Sequence, residues 1–484
     1  MLFQTWEFAI FFAIVMAGVV LFKSRFKAAW LLAASYYFYA YMNPLFLIFI
    51  GYITIADYLL GRGIAATQGK KTGLFYVSVS IINGVLLLAV FKYADFFTAN
   101  LQALVGEAFH VRTLSETIDL ICKEWFNLNY RVPRSVLLPA GLSFFIFKSI
   151  SYTVDIYRGI RPAEKSIVNY ASYLAFFPAL LSGPIDRSGL LLEQLKNKTF
   201  IRPLDISDGI SLFITGLFKK IVLADTLALF VNKVFAADAW APGSDLFGSL
   251  TVAAAAFAFA WQLYGDFSGY TDMARGIAKM MGIHLTLNFN NPYVAVDFSD
   301  FWRRWHISLS SWFRDYVYIP LGGSRVAKWR IWLNLFLTML ISGFWHGANW
   351  TYIVWGAWHG LMAVIWLAFD NTDWYKNRVP KFVKQLTVFA LVGVGWVFFC
   401  APDLTTAFAM LGTMFSGAAG TASIIPWALL IAASTVWAYQ LLFDSRWGGV
   451  LNYAPVRYAL MALIIFLILT IPAEANQKFL YFEF

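Results

Sequence analysis

Long stretches of this 484-residue chain contain no Asp, Glu, Lys or Arg, among them Ala28–Ala56, Leu74–Phe91, Ser166–Ile185, Leu246–Tyr264, Ile331–Phe369, Leu404–Phe443 and Tyr458–Pro472. About 20 apolar residues in a helix span the hydrocarbon core of a bilayer, so several runs suffice for one crossing and the longest for two. Backbone polar groups in lipid must pair internally, and the runs are continuous rather than alternating with period 2, which selects helices over barrel strands. The arithmetic gives roughly 11 membrane segments. With 60% hydrophobic and 13% charged residues, the chain has too little charge for water alone to solvate its surface. The expectation is an all-α polytopic membrane protein with re-entrant or interfacial helices, organised as a single membrane domain over residues 1–484.

The 37 Lys and Arg outnumber 27 Asp and Glu, but they fall in short clusters between apolar runs, the pattern of cytoplasmic loops rather than of a nucleic-acid surface. Lys23, Arg25 and Lys27 follow the first apolar run at once and nothing basic precedes it, which orients the N-terminus outward. The next cluster, Arg62, Lys70 and Lys71, then requires Ala28–Ala56 to cross twice or dip and return, with a turn at Met42-Asn43-Pro44. Leu74–Phe91 crosses outward and leaves roughly 40 residues as an external loop before Ser135–Tyr157 returns. Ser166–Ile185, with Pro178, Gly183 and Pro184, reads as a broken or re-entrant helix. Asp208–Asn232, interrupted by Lys219, Lys220 and Asp225, reads as an interfacial or cavity-facing one. Cys122 and Cys400 form no ligand set, and neither a resident cofactor nor a metal is expected.

Asp297–Arg330 gathers Trp302, Trp305, Trp312 and Trp329 with Arg303, Arg304, Arg314, Arg325, Lys328 and Arg330 around His306. A helix lying in the cytoplasmic interface accounts for this composition. The arginines also suit a phosphate-bearing donor, because guanidinium binds phosphate in a bidentate fork. Of five histidines, His110 and His284 read as loop or surface residues. His346 and His359 sit inside the charge-free run 331–369, where an ionisable group points to function. For His359 a neutral, satisfied core imidazole is an equal alternative. His346 has the more specific setting, Ser342-Gly343-Phe344-Trp345-His346-Gly347-Ala348-Asn349. The glycines permit close backbone approach, and Asn349 is a polar partner able to orient the ring. Imidazole is suited to take a proton from a hydroxyl near neutral pH. Asp266 and Asp272, in Tyr264-Gly265-Asp266-Phe267-Ser268-Gly269-Tyr270-Thr271-Asp272, read as helix caps or turn residues, or as groups that orient a histidine.

Four ordered motifs carry a family resemblance: Phe176-Phe177-Pro178 with Ser182-Gly183-Pro184-Ile185; Asp266-Phe267-Ser268-Gly269-Tyr270-Thr271-Asp272; Asp300-Phe301-Trp302-Arg303-Arg304-Trp305-His306-Ile307-Ser308-Leu309-Ser310; and Trp345-His346-Gly347. Together with Met1-Leu2-Phe3 and Tyr481-Phe482 they resemble the membrane-bound O-acyltransferases over essentially the whole chain, in the bacterial branch that O-acetylates alginate. The resemblance implies a many-helix fold around a central tunnel, the family's active-site histidine at His346 and a second functional histidine at His306. It implies acetyl-coenzyme A as donor, an extracytoplasmic partner protein or exopolysaccharide as acceptor, and a place in the bacterial inner membrane. On this reading Trp345, Asn349 and Asp266 support the site, and Arg303, Arg304 and Arg314 contact the donor. Two alternatives stay open: D-alanyl transfer from a carrier-protein thioester, and a non-catalytic transporter or flippase, which the broken helix also suits. The sequence leaves the acceptor, an acetyl-histidine intermediate and the oligomeric state undecided.

Overall fold

The computed structural model of the chain describes residues 1–67, 71–106, 111–126, 138–197, 200–240, 246–369, 372–422, 424–471 and 479–480. The described residues are helices and their connections, as the continuous apolar runs predict, with one isolated bridge between Phe247 and Ala422. Among the described residues, four helices have the length and composition to cross a bilayer: Phe46–Ala66, Lys71–Val105, Trp350–Phe369 and Lys381–Cys400. Trp6–Leu21, Leu404–Ser416, Trp427–Phe443 and Ala454–Thr470 are shorter and apolar. Ala454–Thr470 buries none of its described residues, and a helix so apolar and so exposed has lipid as its solvent. The protein is an all-α polytopic membrane protein.

Contacts divide the chain into two compact units, Met1–Ile210 with Ala274–Thr286, and Ser211–Met273 with Leu287–Phe484. In the first unit, Thr5 caps Trp6–Leu21 by accepting from the Phe8 N–H. Ser24–Ala40 and Phe46–Ala66 are separated at Met42-Asn43-Pro44, where Asn43 Oδ1 accepts from the Leu45 N–H at 3.0 Å, so the expected turn is present. The described residues of the stretch expected as an external loop are largely helical: the helix from Lys71 runs on through a π-segment, Ala89–Tyr93, to Val105, and Leu114–Phe126 follows. Thr113 and Glu116 start the latter with a reciprocal capping box, at 2.9 and 3.3 Å. His110 and Tyr481-Phe482 lie outside the described residues.

The broken helix is where the sequence placed it. Ile167–Ala175 ends at Phe176, and a single turn, Phe177–Leu180, restarts with Pro178 in its first turn. Every residue from 170 to 186 is buried. The Phe177 N–H, orphaned by the break, donates to Ser35 Oγ at 3.0 Å, which is how protein packing makes irregular backbone tolerable inside a membrane protein. The neighbouring core is polar: Asp57 accepts from Ser149, whose hydroxyl also meets Tyr170 at 2.7 Å, and Ser80 pairs with Thr153 at 2.9 Å.

The second unit is organised on the long helix Ser249–Met280, which crosses the division between units. Asp266 and Asp272 lie in its interior, so neither caps a helix nor forms a turn. Gly265 and Gly269, which made the segment look like a turn, instead admit another backbone: a Cβ on Gly269 would stand 2.7 Å from the Gly216 carbonyl oxygen. That close approach brings Lys219 to Asp272 and Lys220 to Asp266, each at 2.7 Å, with Lys220 also 2.7 Å from Asp225. The lysines lie on a π-helical segment, Lys219–Asp225, between helices Pro203–Phe218 and Thr226–Val234, so the expected interruption is a widened turn within a helical run.

Candidate active site

His346 is the last residue of the helix Lys328–His346, and Gly347-Ala348-Asn349 turns the chain into Trp350–Phe369. These helices form a tight antiparallel hairpin because glycine faces glycine. A Cβ on Gly343 would lie 2.3 Å from the Tyr352 carbonyl oxygen, and one on Gly356 2.6 Å from that of Met339. Gly347 likewise leaves no room for a side chain against the Tyr352 ring. The hairpin thus places the buried imidazole of His346 among Trp345, Trp355 and Phe399, at ring-centroid separations of 5.0, 5.0 and 5.3 Å, edge-on to each. Asn349 spends its side chain on the turn itself, donating to the Pro402 carbonyl at 2.9 Å and accepting from the Thr351 N–H at 3.1 Å.

The Trp/Arg segment is not one interfacial helix. It begins with two short helices, Phe298–Arg304 and Ile307–Phe313, joined through Trp305 and His306, continues into a π-segment, Arg314–Tyr318, and ends in the first turn of Lys328–His346. Trp305 and Trp312 are buried in the core, whereas Trp329 is exposed. His306 has left-handed backbone angles, φ 42° and ψ 55°, a conformation that a β-carbon disfavours and that persists where its surroundings over-determine it. Asn288 supplies that constraint: its carbonyl accepts from the Ile307 N–H at 2.9 Å and its side-chain oxygen from the Ser308 N–H at 3.1 Å. The result inserts the His306 ring between Phe267, edge-on at 4.6 Å, and Phe289, stacked at 6.4 Å. Burial pushes its imidazole pKa down to about 3, because desolvation disfavours the cation.

His306 and His346 belong to one aromatic chamber. From His346 the contacts run through Trp355 to Trp396 at 5.8 Å, on to Trp305 at 4.9 Å and to Phe289 at 5.0 Å, beside His306. Aromatic rings at these spacings and tilts hold one another in place. His359, one helical turn beyond Trp355, also lies wholly inside the chamber, and Gly395 makes room for its ring. Trp355, Trp396, Phe289 and Asn288 are site residues that sequence reasoning did not single out. The spacing of Trp355 and His359 at i and i+4, on the helix that follows His346, is the one signal that could have found any of them.

The supporting residues are placed differently. Asp266 accepts from Lys220 Nζ and, through its other oxygen, from the Leu480 N–H at 2.9 Å; the next residue, Phe267, is the one that packs on His306. Arg304 is held by Asp300 at 3.0 Å and by Asp444 at 3.4 Å. Arg303, mostly exposed, is 3.7 Å from Asp300, and Arg314, also exposed, is 2.8 Å from Asp315. His284 is half exposed, as a surface residue should be.

A helical membrane scaffold that buries His306, His346 and His359 in one cluster of touching aromatic rings makes imidazole chemistry available in its interior. The family model for membrane-bound O-acyltransferases matches residues 161–401. The probable alginate O-acetylase AlgI of Pseudomonas putida is 36% identical over 516 residues, covering 100% of both chains. The peptidoglycan O-acetyltransferase of Helicobacter pylori is 34% identical, covering 80% of this chain and 74% of its own. The teichoic acid D-alanyltransferase of Bacillus subtilis is 25% identical, covering 73% and 94%. The chain belongs to the membrane-bound O-acyltransferase family and is an O-acyltransferase, which decides against the transporter alternative.

Proposed function

We propose that the protein moves an acetyl group from a cytoplasmic thioester, acetyl-coenzyme A, to an extracytoplasmic acceptor in exopolysaccharide O-acetylation, from a position in the bacterial inner membrane with its N-terminus outside. The observation that carries the reading is the seating of His346: a buried imidazole fixed by a glycine-packed hairpin, in a chain similar over its whole length to an alginate O-acetylase. In this mechanism His346 takes the proton of the acceptor hydroxyl as its oxygen attacks the thioester carbonyl, then returns it to the departing thiolate. His306 faces the same chamber as a neutral imidazole and positions the donor. Arg303 and Arg314, on the exposed side of the Trp/Arg segment, meet the donor phosphates more readily than Arg304, which already has two carboxylates. The acceptor is a polysaccharide or a side chain of an extracytoplasmic transferase that hands the acetyl group on.

Membrane vesicles supplied with radiolabelled acetyl-coenzyme A test the reading: label should reach extracytoplasmic material with the intact protein and fail to do so with His346→Ala. Undiminished transfer by His346→Ala would overturn the assignment. D-alanyl transfer from a carrier-protein thioester is the second reading, favoured by the similarity to a D-alanyltransferase. Labelled D-alanine transfer with no acetyl transfer would select it.

A further inference from the structure

Trp302, Trp355 and His359 form a triangle of rings inside the chamber. Ring centroids are 4.8 Å apart for Trp355 and His359, 5.1 Å for Trp302 and His359, and 5.8 Å for Trp302 and Trp355. Both ring nitrogens of His359 and the indole nitrogens of both tryptophans are buried, and among the described residues no atom hydrogen-bonds to any of the four. Buried polar atoms are nearly always paired, and such a concentration within one set of touching rings calls for a ligand. The stoichiometry indicates its chemistry. Each indole contributes one N–H donor, and a neutral imidazole contributes one donor and one acceptor. Three donors face one acceptor, which suits an oxygen rich in lone pairs and suits neither a cation nor a hydrocarbon chain.

Trp355 joins this triangle to His346, whose ring stands edge-on to it at 5.0 Å. We propose that Trp302, Trp355 and His359 form the oxyanion-binding wall of the acyl-transfer site, receiving the acyl carbonyl oxygen of the thioester donor. The inference rests on the reading of His346 as the base. As the acceptor hydroxyl oxygen bonds to the carbonyl carbon, its proton passes to His346 and the carbonyl π pair moves onto the oxygen. The indole and imidazole N–H groups hold that oxyanion in water-excluded surroundings, where such donors act most strongly. The intermediate then collapses: the C–S bond breaks, the thiolate takes the proton from the His346 imidazolium, and the acyl ester and free thiol depart.

The test uses vesicles carrying the full-length protein and acetyl-coenzyme A, with His359→Phe, Trp355→Phe and His359→Gln beside the wild type. Losing one oxyanion donor should lower kcat about 10²-fold with KM for acetyl-coenzyme A nearly unchanged. His359→Gln, which restores a donor, should recover part of the loss. The purified His359→Phe protein should melt no lower than wild type, because phenylalanine removes two unpaired buried nitrogens rather than a bonded partner. If His359→Phe does not fold, Trp355→Phe alone decides by the same kcat criterion. Wild-type transfer with full kcat in either variant would overturn the wall, as would a loss of kcat that tracks a lowered melting temperature. A wild-type protein that transfers nothing from acetyl-coenzyme A would instead overturn the parent reading.

Discussion

Lys220 Nζ and Asp266 Oδ1 stand 2.7 Å apart with both side chains almost wholly out of solvent. Asp225 on the other side of the lysine, also at 2.7 Å, makes it the centre of a buried triad. Lys220→Met would leave two buried carboxylates facing each other. Breaking a buried pair from one side costs about 3–5 kcal/mol, so this variant should lose most of its folded yield in detergent, read by size-exclusion profile and thermal melt. Asp266→Asn keeps an acceptor for the Leu480 N–H and should lose less.

The glycine contact of the His346 hairpin gives a paired expectation. Gly343→Ala places a methyl group 2.3 Å from the Tyr352 carbonyl oxygen and should destabilise by about 1–3 kcal/mol as an overpacked site. Acyl transfer should fall with it, since His346 is one turn away. Gly393→Ala, on the helix Lys381–Cys400 with nothing within 4 Å of the new carbon, should be neutral or slightly stabilising. Equal melting temperatures for the two variants would refute the contact.

At His306 the backbone and the ring can be separated. His306→Asn preserves a residue type that tolerates the left-handed conformation, whereas His306→Val places a β-branched residue there, at a cost of about 1–3 kcal/mol. The asparagine variant should therefore fold like wild type and reveal the loss of the imidazole alone in its transfer kinetics. The valine variant should melt lower.

A pH dependence follows from the same residue. With its pKa held near 3 in the folded state and about 6.5 when unfolded, His306 takes up a proton in the unfolded chain alone between those values. Its contribution to stability is complete above about pH 6.5 and is lost as pH falls toward 3, with a slope of up to about 1.4 kcal/mol per pH unit. Replacing it with Gln should make the melting temperature fall less steeply than that of wild type between pH 4 and 6.5.

Sequence reading recovered what depends on local chemistry. The turn at Asn43, the break at Pro178 and the close backbone approach at Gly343 and Gly347 are each written in residues that fix their own backbone. The Thr113–Glu116 capping box was equally local and was passed over because the stretch was assigned as the connection between two crossings. Asp266 and Asp272 misled for the opposite reason: glycine and aspartate mark turns in water, but inside a packed membrane helix the glycines admit a neighbouring backbone and the aspartates meet its lysines. Trp305 and Trp312 were expected at the headgroup level and proved to be core, because an aromatic residue's depth is set by tertiary packing. His359 remained ambiguous for the same reason. Only the meeting of Trp302 with Trp355, more than 50 positions apart in the chain, sets its surroundings.

The glycine-on-glycine contact behind His346 carries a mechanical meaning. Helices that rely on lipid for their position tilt or slide when bilayer thickness changes. Lys328–His346 is instead clamped, backbone against backbone, to its successor, so the imidazole keeps its station relative to Trp355 whatever the surrounding lipid does. The hairpin is a strut, and catalysis should be indifferent to acyl-chain length in vesicles over a range that visibly changes how the rest of the protein is seated.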